Sequence, residues 1–311
     1  MPKIAIIGAG DVGTTIAYTL QISGLATEIV LIDIDQKLAQ GQVMDMNHGL
    51  FFVPPVELSA GNYSDCNGAD IVIITAGARQ RSGENRLSLV HRNAAICKSI
   101  IDQIKPYSGT GVLLVVTNPV DVMTQVVIKH SGLPKSQVMG SGTVLDSARF
   151  RYFLSQHYHI DARNIHAYVI GEHGDSEVVL WSQVRIAGTP LERFSKGITY
   201  ASKQVDRERI TKDVKESAYH IIEAKGATNY GVSLAVRRIV EAIIRDENSV
   251  LTVSTLLNGE YVLNDVCLSV PCIVNREGIK GIIVTALDQE EERALKNSAE
   301  IIKDVYKKVA K

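Results

Sequence analysis

The 311-residue sequence predicts an α/β protein, with a doubly wound parallel sheet in its first half and a mixed α+β unit in its second. Three observations predict it. Short β-branched runs alternate with helical patterns as far as about Gly140; a glycine-rich turn joins the first run to the first helix; and the alternation loosens beyond Gly140.

The runs Ile4 to Ile7, Glu28 to Ile32, Ile71 to Ile74 and Val112 to Val116 are short, apolar and bounded by turn residues, as buried strands are. Helical patterns lie between them at Val12 to Ile22, Gln36 to Asn47 and about Glu84 to Ile104. Strand and helix in alternation make βαβ units, whose strands run parallel. In the second half, strands are expected near Ile165 to Val169, Val250 to Leu256 and Leu268 to Ile273. Helices are expected at Ser147 to Tyr158, Val205 to Glu223, Ser233 to Arg245 and Glu290 to Val309. With no repeat or Pro-rich linker between the halves, the expected units are 1–141 for a dinucleotide and 142–311 for a substrate.

Composition narrows the function. Lys and Arg number 33 against 34 Asp and Glu, a net charge of -1, so no global field draws the chain to nucleic acid or a membrane surface. The sequence lacks a run of about 18 apolar residues, and its start, Met1-Pro2-Lys3-Ile4, does not resemble a secretory signal. The four cysteines are scattered in a way that suits neither a zinc site nor a disulfide framework, so a reducing cytoplasm is expected. His157 and His159 point apart on a helix and lack an acidic or Cys partner, which argues against a metal.

Gly8-Ala9-Gly10-Asp11-Val12-Gly13 follows the first strand and opens the first helix. In that context Gly8 permits the tight turn, Gly10 lets backbone approach a pyrophosphate, and Gly13 lets helix and strand pack closely. Free N–H groups at the helix start attract the anion. The glycines alone also fit a packing turn, but the second strand ends at Asp33, 20 residues after Gly13. A carboxylate there accepts hydrogen bonds from a ribose 2′-OH and repels a 2′-phosphate, which favours NAD over NADP in a Rossmann-type site. No GxxxxGK[ST] run suggests phosphoryl transfer.

Farther on, Val169-Ile170-Gly171-Glu172-His173-Gly174-Asp175 places a histidine in a loop after a strand, and Asp146 and Arg149 share one helical face at three-residue spacing. An acid, a base and a guanidinium can converge. These segments, with Thr75-Ala76-Gly77-Ala78-Arg79-Gln80, Gly83-Glu84-Asn85-Arg86, Thr117-Asn118-Pro119 and Gly226-Ala227-Thr228, resemble the L-lactate/malate dehydrogenase family over nearly the whole chain.

The resemblance implies that His173 exchanges the proton of the substrate hydroxyl while Asp146 holds its ring and steadies its charge. It implies that Arg149 binds the substrate carboxylate by two parallel hydrogen bonds, and that Arg86, on a mobile loop, polarises the carbonyl. Gln80, Asn118 and Thr228 would complete the substrate site. Gly8, Gly10, Val12, Gly13, Asp33, Thr75, Gly77, Ala78 and Asn118 would contact NAD.

Within the family, arginine three residues before the loop glycine suits malate and glutamine suits smaller side chains. Here that position is Gln80, three before Gly83, which favours pyruvate and L-lactate. A one-residue slip would bring Arg81 inward instead, and Ser82 stands where relatives often have Pro. Malate dehydrogenase, a dehydrogenase of larger L-2-hydroxy acids and a non-catalytic NAD sensor remain the other readings; the sensor needs the glycines and Asp33 but not the four catalytic groups together. Arg151 and His166 match positions that bind fructose 1,6-bisphosphate across a subunit interface in allosteric bacterial members. The resemblance also implies a homotetramer.

Overall fold

The structure is a computed structural model that describes residues 2–78, 86–107, 109, 111–199 and 204–309; the side chain of Arg86 lies outside that description. Strands β1 (Lys3–Ile7), β2 (Glu28–Ile32), β3 (Glu57–Gly61), β4 (Ile71–Ile74), β5 (Val112–Val115) and β6 (Val138–Gly140) lie side by side in the order β3-β2-β1-β4-β5-β6, every neighbouring pair parallel. The order reverses direction between β1 and β4. In such sheets a ligand crevice opens at the carboxyl ends of the strands at that reversal.

Helices α1 (Asp11–Ser23), α2 (Gln36–His48), α3 (Arg86–Ile104) and α4 (Val120–Ser131) provide connections and cover the sheet. The strand residues are almost fully buried: Ile4, Ile6, Ile29, Leu31, Ile71 and Ile73 are each 0% exposed. Burying one such side chain is worth roughly 1.5–3 kcal/mol relative to leaving it in water. A sheet covered on both faces is what the unbroken Ile/Val/Leu runs require.

Three first-half elements depart from the sequence-based expectation because their local signals are weak. β3 is an edge strand, Glu57-Leu58-Ser59-Ala60-Gly61, and only Leu58 is buried. β6 has three residues. α4 buries ten of its twelve residues, so it lacks the amphipathic period that marks a surface helix.

The second half contains α5 (Val144–Tyr158), β7 (Ile165–His166), β8 (Val169–Ile170), β9 (Val178–Val179), β10 (Arg185–Ile186), β11 (Thr189–Pro190) and α6 (Leu191–Gly197). These are followed by α7 (Arg207–Lys225), α8 (Tyr230–Ile244), β12 (Ser249–Asn258), β13 (Asn264–Asn275), β14 (Gly278–Ile282) and α9 (Gln289–Val309). The single strand expected from Ile165 to Val169 is two, β7 and β8, in different small sheets. β12, β13 and β14 do not form a separate layer. They continue the parallel sheet antiparallel from β6, where Ser254 pairs with Gly140, to give nine strands among the described residues. Among those residues no helix is long and apolar enough to cross a membrane.

Candidate active site

The glycine turn is shaped by contact as well as by φ. Gly8 has φ +115°, a region L side chains avoid, and a Cβ there would stand 2.6 Å from Thr75 Oγ1. A Cβ on Gly13 would fall 1.8 Å from the Gly8 carbonyl oxygen, so α1 sits against this turn only because residue 13 is glycine. A Cβ on Gly10 would meet nothing within 4 Å, so Gly10 faces open space at the start of α1. The gap is what a pyrophosphate resting on the helix N-terminus needs.

Thr75 Oγ1 donates to the carbonyls of Ile7 and Gly8, each at 3.1 Å, and pins the turn to the end of β4. Asp33 follows β2 directly; its Oδ2 accepts from the Ala9 N–H at 2.7 Å and its Oδ1 from Asp35 N–H at 2.9 Å. Asp33 is thereby fixed at the rim of the turn, with lone pairs still available to a ribose hydroxyl. Across the crevice, Ala78 N–H donates to Asn93 Oδ1 and Asn93 Nδ2 donates to the Asn118 carbonyl, both at 2.8 Å. Asn93, on α3 and 3% exposed, therefore ties two predicted cofactor contacts together. A lone Asn in a helix carries no sequence signal for this. Val12 and Gly77 lie on the same two segments.

The second cluster forms around Asp146. This residue lies in the first turn of α5, where the helix dipole favours a carboxylate, and Arg149 sits three residues on. Arg149 NH1 donates to Asp146 Oδ1 at 2.6 Å, and His173 Nδ1 meets Asp146 Oδ2 at 2.5 Å. The Asp146 side chain is 1% exposed, against 14% for Arg149 and 24% for His173. Burial opposes charge on the His173 imidazole, yet the Asp146 carboxylate overrides it and raises the ring to about 9. Burial likewise works against the Asp146 carboxylate, but His173 and Arg149 together hold it below the usual range. The ring is thus protonated at neutral pH, with Nε2–H left to give to a developing alkoxide.

The His173 loop has its own supports. Gly171, at φ +89°, exchanges backbone hydrogen bonds with Ser269 of β13, and Glu172 N–H donates to Ser298 Oγ at 2.8 Å. The His173 N–H donates to Asp121 Oδ2 at 2.7 Å. Glu177, 4% exposed, faces the same cluster with no hydrogen-bond partner for Oε1. Burial, then Asp146, raises its carboxyl to about 8. It borders a cavity of about 580 Å³ lined also by Leu87, Val90, Lys215 and Ile302. Neither Asp121 nor Glu177 was among the residues expected from the sequence.

Thr228 is half-buried in the link between α7 and α8, just past Gly226, whose φ of +85° ends α7. Gln80, Arg81, Ser82 and Gly83 lie outside the described residues, as does the Arg86 side chain at the start of α3. Arg151 is less free than a phosphate ligand on an open surface: its Nε donates to the Ala167 carbonyl at 3.0 Å, and its guanidinium stands 5.2 Å from the Tyr168 ring centre. His166 is exposed on β7, paired in register with Arg185 of β10. The four cysteines are buried free thiols; burial pushes Cys66 and Cys97 up to about 12, so neither supplies a thiolate.

Comparison with known proteins gives the family. Residues 2–140 match the family profile described as lactate/malate dehydrogenase, NAD binding domain, and residues 143–311 that described as lactate/malate dehydrogenase, alpha/beta C-terminal domain. An L-lactate dehydrogenase of Acetivibrio thermocellus is 56% identical over 305 residues, covering 98% of this chain and 96% of that protein. One of a Thermoanaerobacter species is 55% identical over 309 residues, 99% of each chain. Among solved structures, a lactate dehydrogenase from a Medee basin deep-sea metagenome library superposes with a TM-score of 0.97 at 42% identity, over 100% of this chain and 99% of that one. The fold, the glycine turn with its carboxylate, and the histidine on a buried aspartate all lead to one assignment: the chain belongs to the lactate/malate dehydrogenase family.

Proposed function

We propose that the protein interconverts pyruvate and L-lactate with NADH and NAD, acting as an L-lactate dehydrogenase. The observation that carries this reading is the Asp146 carboxylate, which holds the His173 ring with one oxygen and the Arg149 guanidinium with the other. A protonated base and an anion-binding fork then face the same small substrate. Bound in the crevice, NADH supplies the hydride to the carbonyl carbon. His173 gives its Nε2 proton to the carbonyl oxygen and is left neutral, while Arg149 anchors the carboxylate. In the reverse direction His173 takes that proton back.

Arg86 is assigned to polarise the carbonyl, Gln80 and Thr228 to line the methyl side, and Asn118 to orient nicotinamide and carbonyl. Gly8, Gly10, Val12, Gly13, Asp33, Thr75, Gly77 and Ala78 are assigned to NAD. Residues 1–141 serve as the dinucleotide unit and 142–311 as the substrate unit. The cytoplasm is the proposed compartment, in keeping with four free buried thiols.

The test follows NADH absorbance with pyruvate and with oxaloacetate side by side. Strong preference for pyruvate is expected, because oxaloacetate's second carboxylate has no charge partner in Gln80. Preference for oxaloacetate would turn the assignment to malate.

A homotetramer regulated by fructose 1,6-bisphosphate belongs to the same proposal. Exposed Met44, Phe51, Phe52, Tyr230 and Leu234 are apolar surface of the kind that subunits cover. Arg151 and His166 flank Ala167, and a two-fold axis would set two such pairs against two phosphates. Fructose 1,6-bisphosphate is expected to lower the KM for pyruvate in the wild type and to do so no longer in Arg151→Gln. Identical steady-state curves with and without the effector in both proteins would remove this part.

A further inference from the structure

A buried acid from outside the catalytic loop that bonds to it, besides Asp146, is Asp121. It stands in the first turn of α4, three residues after Asn118, and is 1% exposed. Its carboxylate gathers three donors from three distant segments. The His173 N–H lies at 2.7 Å from Oδ2, while Ser254 Oγ of β12 and Ser269 Oγ of β13 lie at 2.6 and 3.2 Å from Oδ1. All three donors are neutral.

Neutral donors leave a buried carboxylate costly. Burial raises the Asp121 carboxyl to about 6 despite the Ser254 and His173 hydrogen bonds, so ionising it at neutral pH works against the folded state. An asparagine would fill the same space without that cost. A charge kept where an amide would be more stable is one sign of a functional group.

We propose that Asp121 is a positioning residue: it fixes the His173 main chain to the segment carrying Asn118 and sets a second negative charge against that main chain. The inference rests on the reading of His173 as the acid/base group. It follows from where the ties run. Asp146 orients the imidazole through Nδ1 but belongs to α5, on the same side of the chain as Arg149. Asp121 alone, among the hydrogen bonds described for residue 173, joins it to the half that binds the dinucleotide. That bond of 2.7 Å ties the proton donor directly to the nicotinamide-side segment, beside the supports that Gly171 and Glu172 give the loop. Asp146 bonds the ring, and the negative charge of Asp121 adds to it in favouring the charged form; Glu177, its carboxyl raised to about 8, adds its charge only as pH climbs past that value.

Two variants separate the roles. Asp121→Asn keeps the shape and removes the charge; Asp121→Ala removes the tie. For Asp121→Ala, kcat for pyruvate is expected to fall about 10- to 100-fold, as small misplacements of a reacting group do. The KM for pyruvate should hardly move. The primary isotope effect with NADH deuterated at its transferable position should grow, because proton and hydride transfer become the slow step. For Asp121→Asn, His173 is expected to titrate at lower pH, followed by NMR of ¹³C-labelled histidine without substrate, while Tm stays the same or rises.

Wild-type kcat and isotope effect in Asp121→Ala would overturn the positioning role, as would a loss that merely tracks a smaller folded fraction. An unshifted His173 titration in Asp121→Asn would overturn the electrostatic role. Because the titration needs no substrate, a wild type inactive on pyruvate would fail the functional reading and still leave the electrostatic role of Asp121 decided.

Discussion

His173→Asn is expected to reduce pyruvate turnover by roughly 10²–10⁴-fold, the usual contribution of a positioned general acid, while NADH binding measured by fluorescence stays within about twofold of wild type. Asparagine keeps a polar side chain beside Asp146 but has no proton to give at neutral pH. Loss of NADH binding along with turnover would mean that the loop, and not the imidazole, had been the casualty. The pH dependence has a definite sign. Because Asp146 raises His173 to about 9, the charged ring persists through neutrality, and kcat/KM for pyruvate should be level there and fall as pH rises through about 9. Lactate oxidation needs the neutral ring and should rise over the same range. The ion pair's contribution to stability follows the same rule: it is complete below the ordinary histidine value of about 6.5 and is lost as pH climbs through about 9.

Arg149→Lys should act on substrate binding first. The guanidinium carries five N–H donors in a rigid fork; one is used on Asp146 at 2.6 Å, leaving a parallel pair for a substrate carboxylate. Lysine can keep the charge and one contact but cannot keep both tasks. Losing a partner of a desolvated charge pair costs about 2–5 kcal/mol, so kcat/KM for pyruvate should drop between about 30-fold and several thousand-fold, mostly through KM. Because lysine keeps a positive charge near Asp146, that carboxylate stays ionised and the His173 limb should hardly move. A variant with normal KM and low kcat would place the carboxylate elsewhere and give Arg149 a purely structural task.

Much of this protein was readable one segment at a time. The glycine turn, its carboxylate at the end of the second strand and the i, i+3 pair Asp146 and Arg149 each lie within a βα unit or a single helical turn, and local backbone geometry dictates residue type there. Gly13 shows this well: a Cβ 1.8 Å from the Gly8 oxygen leaves no other residue possible. Elements with full periods were equally legible, and weakly marked ones were not, as with the exposed edge strand β3 and the largely buried α4.

What the sequence by itself determined was therefore the class of fold, the cofactor crevice and, through family resemblance, the chemistry expected of His173. Tertiary structure alone decided what stands behind that chemistry. His173 meets Asp146 across 27 residues and Asp121 across 52, Asp121 reaches Ser254 and Ser269 across 133 and 148, and β12 continues a sheet begun at the other end of the chain. A buried Asp or Ser carries no local pattern that names its partner. The partner is chosen only when strands have registered and helices have docked, because a buried polar group must then bond to whatever donor the packing brings within reach.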